Sequence, residues 1–179
     1  SAGAHVLFLQ EMRRRQYGIS VENGFITASS AADKGGHGGC MISVSASLPF
    51  ASDANGSLLP AKVVRDDVNI LYGDPRTLIV RVAAPRFQSI CVSIHGLDRD
   101  HGREEVHEAW RKTGDQLAKC LKKGDSVCCG IDGNCRIGRK NNNDTSIGDL
   151  LDVEARHDFV SDAMVLFARR FSLRIVNTY

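Results

Sequence analysis

Between Gly73 and Gly96 the chain reads "GDPRTLIVRVAAPRFQSICVSIHG", with two β-branched runs flanking Ala84-Pro85-Arg86. Proline suits a turn but cannot donate to a sheet ladder, so this stretch predicts a β-hairpin whose second arm ends on His95-Gly96. Strands surround it. "HVLFLQ" reads as a buried strand running directly into Glu11, "GFITAS" as another, and "GGCMISVSA" as a third introduced by the glycine cluster at Gly35–Gly39. In "REEVHEAWRKTGDQLAKCLKKG", Val106, Trp110, Leu117 and Leu121 fall on one stripe, acids lead, lysines follow, and Gly124 supplies a stop. That pattern predicts a helix with Trp110 in the core. The strand "SVCCGI" comes next, then the polar, low-complexity "RKNNNDTSIGD", expected as a mobile loop. Val160, Met164, Phe167 and Phe171 are spaced for one face of a second helix, and "SLRIVNTY" reads as a last strand.

Composition narrows the class without naming a function. At 179 residues, one domain with a real core is the natural expectation. A net charge of +2 is too small to argue for nucleic acid by bulk electrostatics. No apolar run approaches the length of a membrane helix, and "SAGAHVLFLQEMRRR" lacks the form of a signal peptide. The six cysteines include no C-x-x-C pair, and adjacent Cys128 and Cys129 should point to opposite faces of their strand. Reduced, buried thiols in an intracellular protein, of the nucleus or the cytoplasm, are the expectation, with no zinc site.

Three expected strands deliver a polar residue at their C-terminal end: Glu11 after "VLFLQ", His95 after "ICVSI", and Asp132 with Asn134 after "VCCGI". Each has a plain reading as a solvated strand end, an edge histidine, or a turn, because Asp-Gly is a strong turn signal and Asn tolerates a left-handed backbone. Their recurrence suggests a site. Carboxylates and an amide oxygen suit a hard divalent cation, and a histidine beside them suits proton transfer or a hydrogen bond to phosphate. The chemistry implied is metal-assisted cleavage of a phosphate ester.

In order, "LFLQE", "GGCMISV", "VSIHG", "GIDGNCRIG" and "LRIVNT" resemble the endonuclease/exonuclease/phosphatase superfamily, closest in flavour to the endonuclease domains of non-LTR retrotransposons. The resemblance runs from Val6 to Thr178. It implies an α/β (α+β) fold, a four-layer sandwich of two mostly antiparallel β-sheets flanked by helices. It also implies that Glu11 binds metal, magnesium or manganese, and that His95 touches the scissile phosphate. Asp132 would orient or activate the attacking water, and Asn134 would position the phosphate. The expected function is metal-dependent phosphodiester hydrolysis of nucleic acid, DNA in the first place, with no membrane and no stable protein partner. Alternatives are a phosphatase of the same family acting on a small phosphoester or phosphoinositide, and a non-catalytic relic.

Arg13, Arg14 and Arg15 after Glu11, and Arg136, Arg139 and Lys140 after Asn134, are candidates for phosphate-backbone contacts or else a solvated surface. The sequence departs from the family where Ile131 precedes Asp132, Gly133 follows it, and Gly96-Leu97 follows His95. The resemblance further places an asparagine-bearing strand ahead of Ser1 and an Asp-His pair beyond Tyr179. His157 does not replace that histidine. Residues 1–179 are therefore expected to be a single, incomplete domain, with little nicking activity alone and with "HVLFLQ" or "SLRIVNT" unpaired or uncovered on one side.

Overall fold

In the computed structural model, which describes residues 4–52, 55, 58–59, 62–85, 87–137 and 158–175, alternating residues near the start of the chain build one sheet. Strands β1 (Val6–Leu9), β2 (Gly18–Glu22), β3 (Phe25–Ser29) and β4 (Met41–Ser45) are antiparallel in the order β1-β4-β3-β2. A short pair, β5 (Ala51–Ser52) and β6 (Leu58–Leu59), precedes the second sheet. There β7 (Val68–Gly73), β8 (Thr77–Ala84) and β9 (Phe87–His95) are antiparallel neighbours. Helix α1 (Arg103–Cys120) follows, then β10 (Ser126–Asp132), which pairs parallel with β9, and then α2 (Phe159–Arg170). The fold is α+β, as expected, and the described residues form two four-stranded, mostly antiparallel sheets and two α-helices.

Two units divide the chain: Ser1–His95 with Lys119–Asp132, and Gly96–Ala118 with Gly133–Tyr179. The first holds both large sheets. Ile26, Ala28, Ile42 and Val44 of one sheet share a buried cluster with Val68, Leu78, Val80, Val82 and Cys91 of the other. This is a sandwich core, and each fully buried Ile, Leu or Val in it contributes about 1.5–3 kcal/mol. Close approach of the sheets is possible at one end because position 130 is glycine. A Cβ there would collide with Phe8 of β1. β1 is an edge strand whose ladder partner among the described residues is β4, and it leaves Leu7 and Leu9 each 37% exposed.

In the second unit, α1 buries Val106, Trp110, Gly114 and Leu117, while α2 buries Val160, Ala163, Met164 and Phe167. Trp110 is 4% exposed and its ring lies 5.3 Å from that of Phe167, so it is core. Asp158 caps α2 reciprocally: it accepts from the Ser161 N–H at 2.8 Å, and its own N–H donates to Ser161 Oγ at 3.0 Å.

The structure corrects three expectations. α1 ends at Cys120, so Leu121 lies beyond the helix. The Arg81 guanidinium donates to the Cys120 carbonyl at 2.9 Å and to both Asp125 oxygens, a cation at the helix C-terminus that fixes the stop. No strand begins at Ser172. That residue has φ 53, Leu173 N–H turns back to the Ala168 carbonyl, and a single β-bridge sits at Ile175. Strands β2 and β7 are additional to those expected from the sequence. β2 and β3 are joined by Asn23-Gly24, with φ 52 and 77, a two-residue hairpin turn that suits these residues. Residues 139–149 and 176–179, with Arg139, Lys140 and His157, lie outside the described residues.

Two predictions concern stability. Gly130→Ala should destabilise the protein by about 1–3 kcal/mol in urea unfolding, because β1 or β10 must shift to admit the methyl. The second concerns Asp125, whose carboxyl is held below its ordinary value of 3.8 chiefly by the Arg81 hydrogen bonds. A carboxyl with a depressed folded value stabilises above its unfolded value, and that contribution is lost as pH falls through the folded one. Unfolding free energy should therefore fall on acidification from about pH 4 downward, and Asp125→Asn should flatten that limb of the profile.

Candidate functional site

Of the four residues expected at strand ends, Glu11 and His95 meet in the first unit, and Asp132 ends the strand beside His95. In the parallel β9/β10 ladder, His95 and Asp132 are register partners, each the last residue of its strand. Glu11 lies two residues beyond the end of β1, and its Oε1 stands 3.6 Å from His95 Nε2. His95 is 8% exposed, and its buried Nδ1 has no hydrogen-bond partner among the described residues. The ring therefore meets the outside through Nε2. The Glu11 side chain is 55% exposed, and Asp132 is also exposed. Asn134 belongs to the second unit, has φ 49, and donates through Nδ2 to the Gly96 carbonyl at 2.9 Å. Its left-handed backbone agrees with the turn reading of Asp-Gly-Asn.

Local backbone explains how Glu11 reaches His95. Glu11 and Arg13 both have positive φ, 54 and 52, an arrangement that costs a non-glycine residue of order 1–3 kcal/mol and persists only where its surroundings enforce it. The glycine cluster does so. Met12 N–H donates to the Gly39 carbonyl at 3.0 Å and Arg13 N–H to the Gly38 carbonyl at 2.9 Å. Gly39 N–H in turn donates to the Pro75 carbonyl at 2.7 Å, and His95 N–H to the Arg76 carbonyl at 2.8 Å. A single turn, Asp74-Pro75-Arg76, thus braces both the segment carrying Glu11 and the end of β9. Asp74 shapes that turn by accepting from the N–H groups of Arg76 and Thr77 at 2.8 and 2.7 Å. Asp-Pro is a turn signal in the sequence, but its link to Glu11 and His95 exists only in the folded chain.

Arg13 and Arg14 are exposed in the first unit, and Arg136 is exposed in the second. The structure also brings in two residues that the sequence reading did not single out. Gln10 Nε2 donates to Ser93 Oγ at 2.9 Å and to the Gly130 carbonyl at 3.1 Å, while Ser93 Oγ donates to the Leu9 carbonyl at 3.2 Å. Cys40, fully buried and in contact with Ser93, has its thiol pushed up to about 12, chiefly by burial. It is a packed thiol and not a nucleophile.

Among the described residues, no three His, Cys, Asp or Glu side chains are grouped closely enough to cage a metal ion. The donor chemistry still fits magnesium. That ion keeps several waters and takes only one or two carboxylates from protein, and Glu11 presents one exposed carboxylate.

The fold has a counterpart among solved structures. It is similar to that of "Endonuclease domain of TRAS1, a telomere-specific non-LTR retrotransposon", at a TM-score of 0.50 and 18% identity, over 94% of this chain and 58% of that one. The chain shares the architecture of that domain. It spans a little over half the length of that domain, and at this identity the likeness is one of architecture. No protein-family model and no curated protein sequence matches the chain. Among the described residues, no helix is long and apolar enough to cross a membrane.

The braced turn makes a prediction. Gly38 has φ 73, and a Cβ on it would stand 2.5 Å from the Pro75 carbonyl oxygen. Gly38→Ala should lower stability by about 1–3 kcal/mol and displace the backbone amide resonances of Glu11 and His95 together. Unmoved resonances would mean that the turn does not brace the rim.

Proposed function

We propose that the chain hydrolyses phosphodiester bonds in nucleic acid, acting as an endonuclease on DNA, and that it derives from a retroelement. One observation carries the reading: Glu11 Oε1 stands 3.6 Å from His95 Nε2, and Asp132 is the register partner of His95 at the neighbouring strand end. A single oriented imidazole beside exposed carboxylates is what hydrolysis of a phosphate ester requires. The fold likeness to a retrotransposon endonuclease domain supports the same reading.

Each side chain has a part to play. His95 donates through Nε2 to a non-bridging phosphate oxygen, its orientation set by burial of the opposite ring edge. Asp132, at the exposed end of β10, accepts a hydrogen bond from a water, aims it in line with the leaving oxygen, and takes its proton as the new P–O bond forms. The leaving oxygen departs on the far side and is protonated from solvent. Glu11 would hold magnesium or manganese, which when bound supplies Lewis-acid polarisation of the phosphoryl group. Arg13 and Arg14 would contact the sugar-phosphate backbone without reading sequence.

The test is nicking of supercoiled plasmid DNA by the full protein that its gene encodes around this chain. Nicking should require magnesium, stop with EDTA, and fall by about 10²–10⁴-fold in Asp132→Ala and in His95→Ala. Activity that survives Asp132→Ala, or that ignores EDTA, would overturn the assignment.

A further inference from the structure

Glu11, His95 and Asp132 each sit just beyond a residue that takes part in one polar network, and that coincidence has a structural meaning. Gln10 immediately precedes Glu11. Ser93 lies two residues before His95, and Gly130 two residues before Asp132. Ser93 and Gly130 are register partners in the β9/β10 ladder, as are His95 and Asp132 one pleat further on. Gln10 reaches from the end of β1 into the other sheet and bonds both members of the inner pair, Ser93 Oγ at 2.9 Å and the Gly130 carbonyl at 3.1 Å. Ser93 Oγ closes the circuit by donating to the Leu9 carbonyl at 3.2 Å.

We propose that Gln10 and Ser93 are positioning residues, a clamp that fixes the end of β1 against β9 and β10 so that Glu11 is delivered to His95. The apolar contacts that join the two sheets set their separation, but burial is non-directional and leaves sliding along the strand weakly opposed. Hydrogen bonds supply the missing direction, since they weaken steeply with misalignment. Both donations of Gln10 leave from one side-chain nitrogen, so its two acceptors must lie at fixed places relative to β1. Ser93 is fully buried, and its hydroxyl both accepts from Gln10 and donates to Leu9. In a merely space-filling role, an apolar side chain of Gln10's length would serve equally well.

The role of the clamp in catalysis rests on the proposed nuclease reading, whereas its role in placing Glu11 does not. Gln10→Met conserves volume and removes both bonds. In the unmodified chain at one fixed pH, Glu11→Gln should move the His95 ring resonances in NMR spectra, because it removes a charge 3.6 Å from Nε2. In a Gln10→Met background the same replacement should leave them nearly unmoved. In the full protein, Gln10→Met should lower kcat by about 10²-fold with KM unchanged, the signature of misplacement and not of lost binding. Should Gln10→Met not fold, Ser93→Ala, which removes one Gln10 acceptor and the bond to Leu9, is read in the same two ways. An undiminished response of His95 to Glu11→Gln would overturn the clamp, as would a loss confined to KM. A lost response with no nicking by any variant would support the clamp and sink the nuclease reading alone.

Discussion

At position 130 the absence of a side chain is what the rest of the first unit depends on. A methyl there would collide with Phe8, so glycine lets β1 of one sheet settle against β10 of the other. Glycine in a strand interior usually weakens the strand, and its presence in the middle of β10 marks a close approach. The approach carries the polar network of Gln10, Ser93 and Gly130 with it, because hydrogen bonds of 2.9–3.2 Å exist only if the sheets come that near. Beyond that network the strands end, and the three side chains of the candidate site lie just past it. Packing comes first here, hydrogen-bonded register second, and the site third.

Strain enters at the same place. Glu11 and Arg13 occupy the left-handed region, and they are held there by backbone bonds to Gly38 and Gly39. The chain thus departs from ladder geometry right after β1, where an ordinary strand would continue or turn away. The departure aims a half-exposed carboxylate at a buried ring. A buried Nδ1 with no partner among the described residues has a cost of its own, of about 1–3 kcal/mol for a buried polar group left unpaired. Strained backbone and an orphaned polar atom within a few residues of each other are what a site built for something other than stability looks like.

How far the sequence could be read follows from the range of the interactions. The hairpin around Pro85 and the helix stripe of Val106, Trp110 and Leu117 are local patterns, and both were legible. The strand ends at Glu11, His95 and Asp132 were legible too, since each is a polar residue terminating an apolar run. β2 escaped notice because "GISVE" is short and half polar, although Asn23-Gly24 behind it was a clear hairpin signal. β7 escaped for a similar reason, since of its six residues Val68 alone is buried. The end of α1 lay outside any local reading. Acids, lysines and Gly124 all allow another turn of helix, and the stop comes from Arg81, 39 residues away in sequence from the carbonyl it binds. Gln10 and Ser93 are separated by 83 residues, and neither has a local pattern that points to the other. A folded chain alone reveals such a pair.

The path of the chain adds a constraint on the expected site residues. It leaves the first unit after His95 and again after Asp132, and those two residues are register partners. Asn134 and Gly96, the residues just beyond the two exits, are hydrogen-bonded to each other within the second unit. The left-handed φ of Asn134 and the bond from its Nδ2 to Gly96 therefore keep together two segments that the β9/β10 ladder has already aligned. A valine at 134 would lose both features, being β-branched in a left-handed position and unable to donate. Glycine would keep the backbone and lose only the amide. The polar pair that interrupts "GIDGNCRIG" is thus a turn in its geometry.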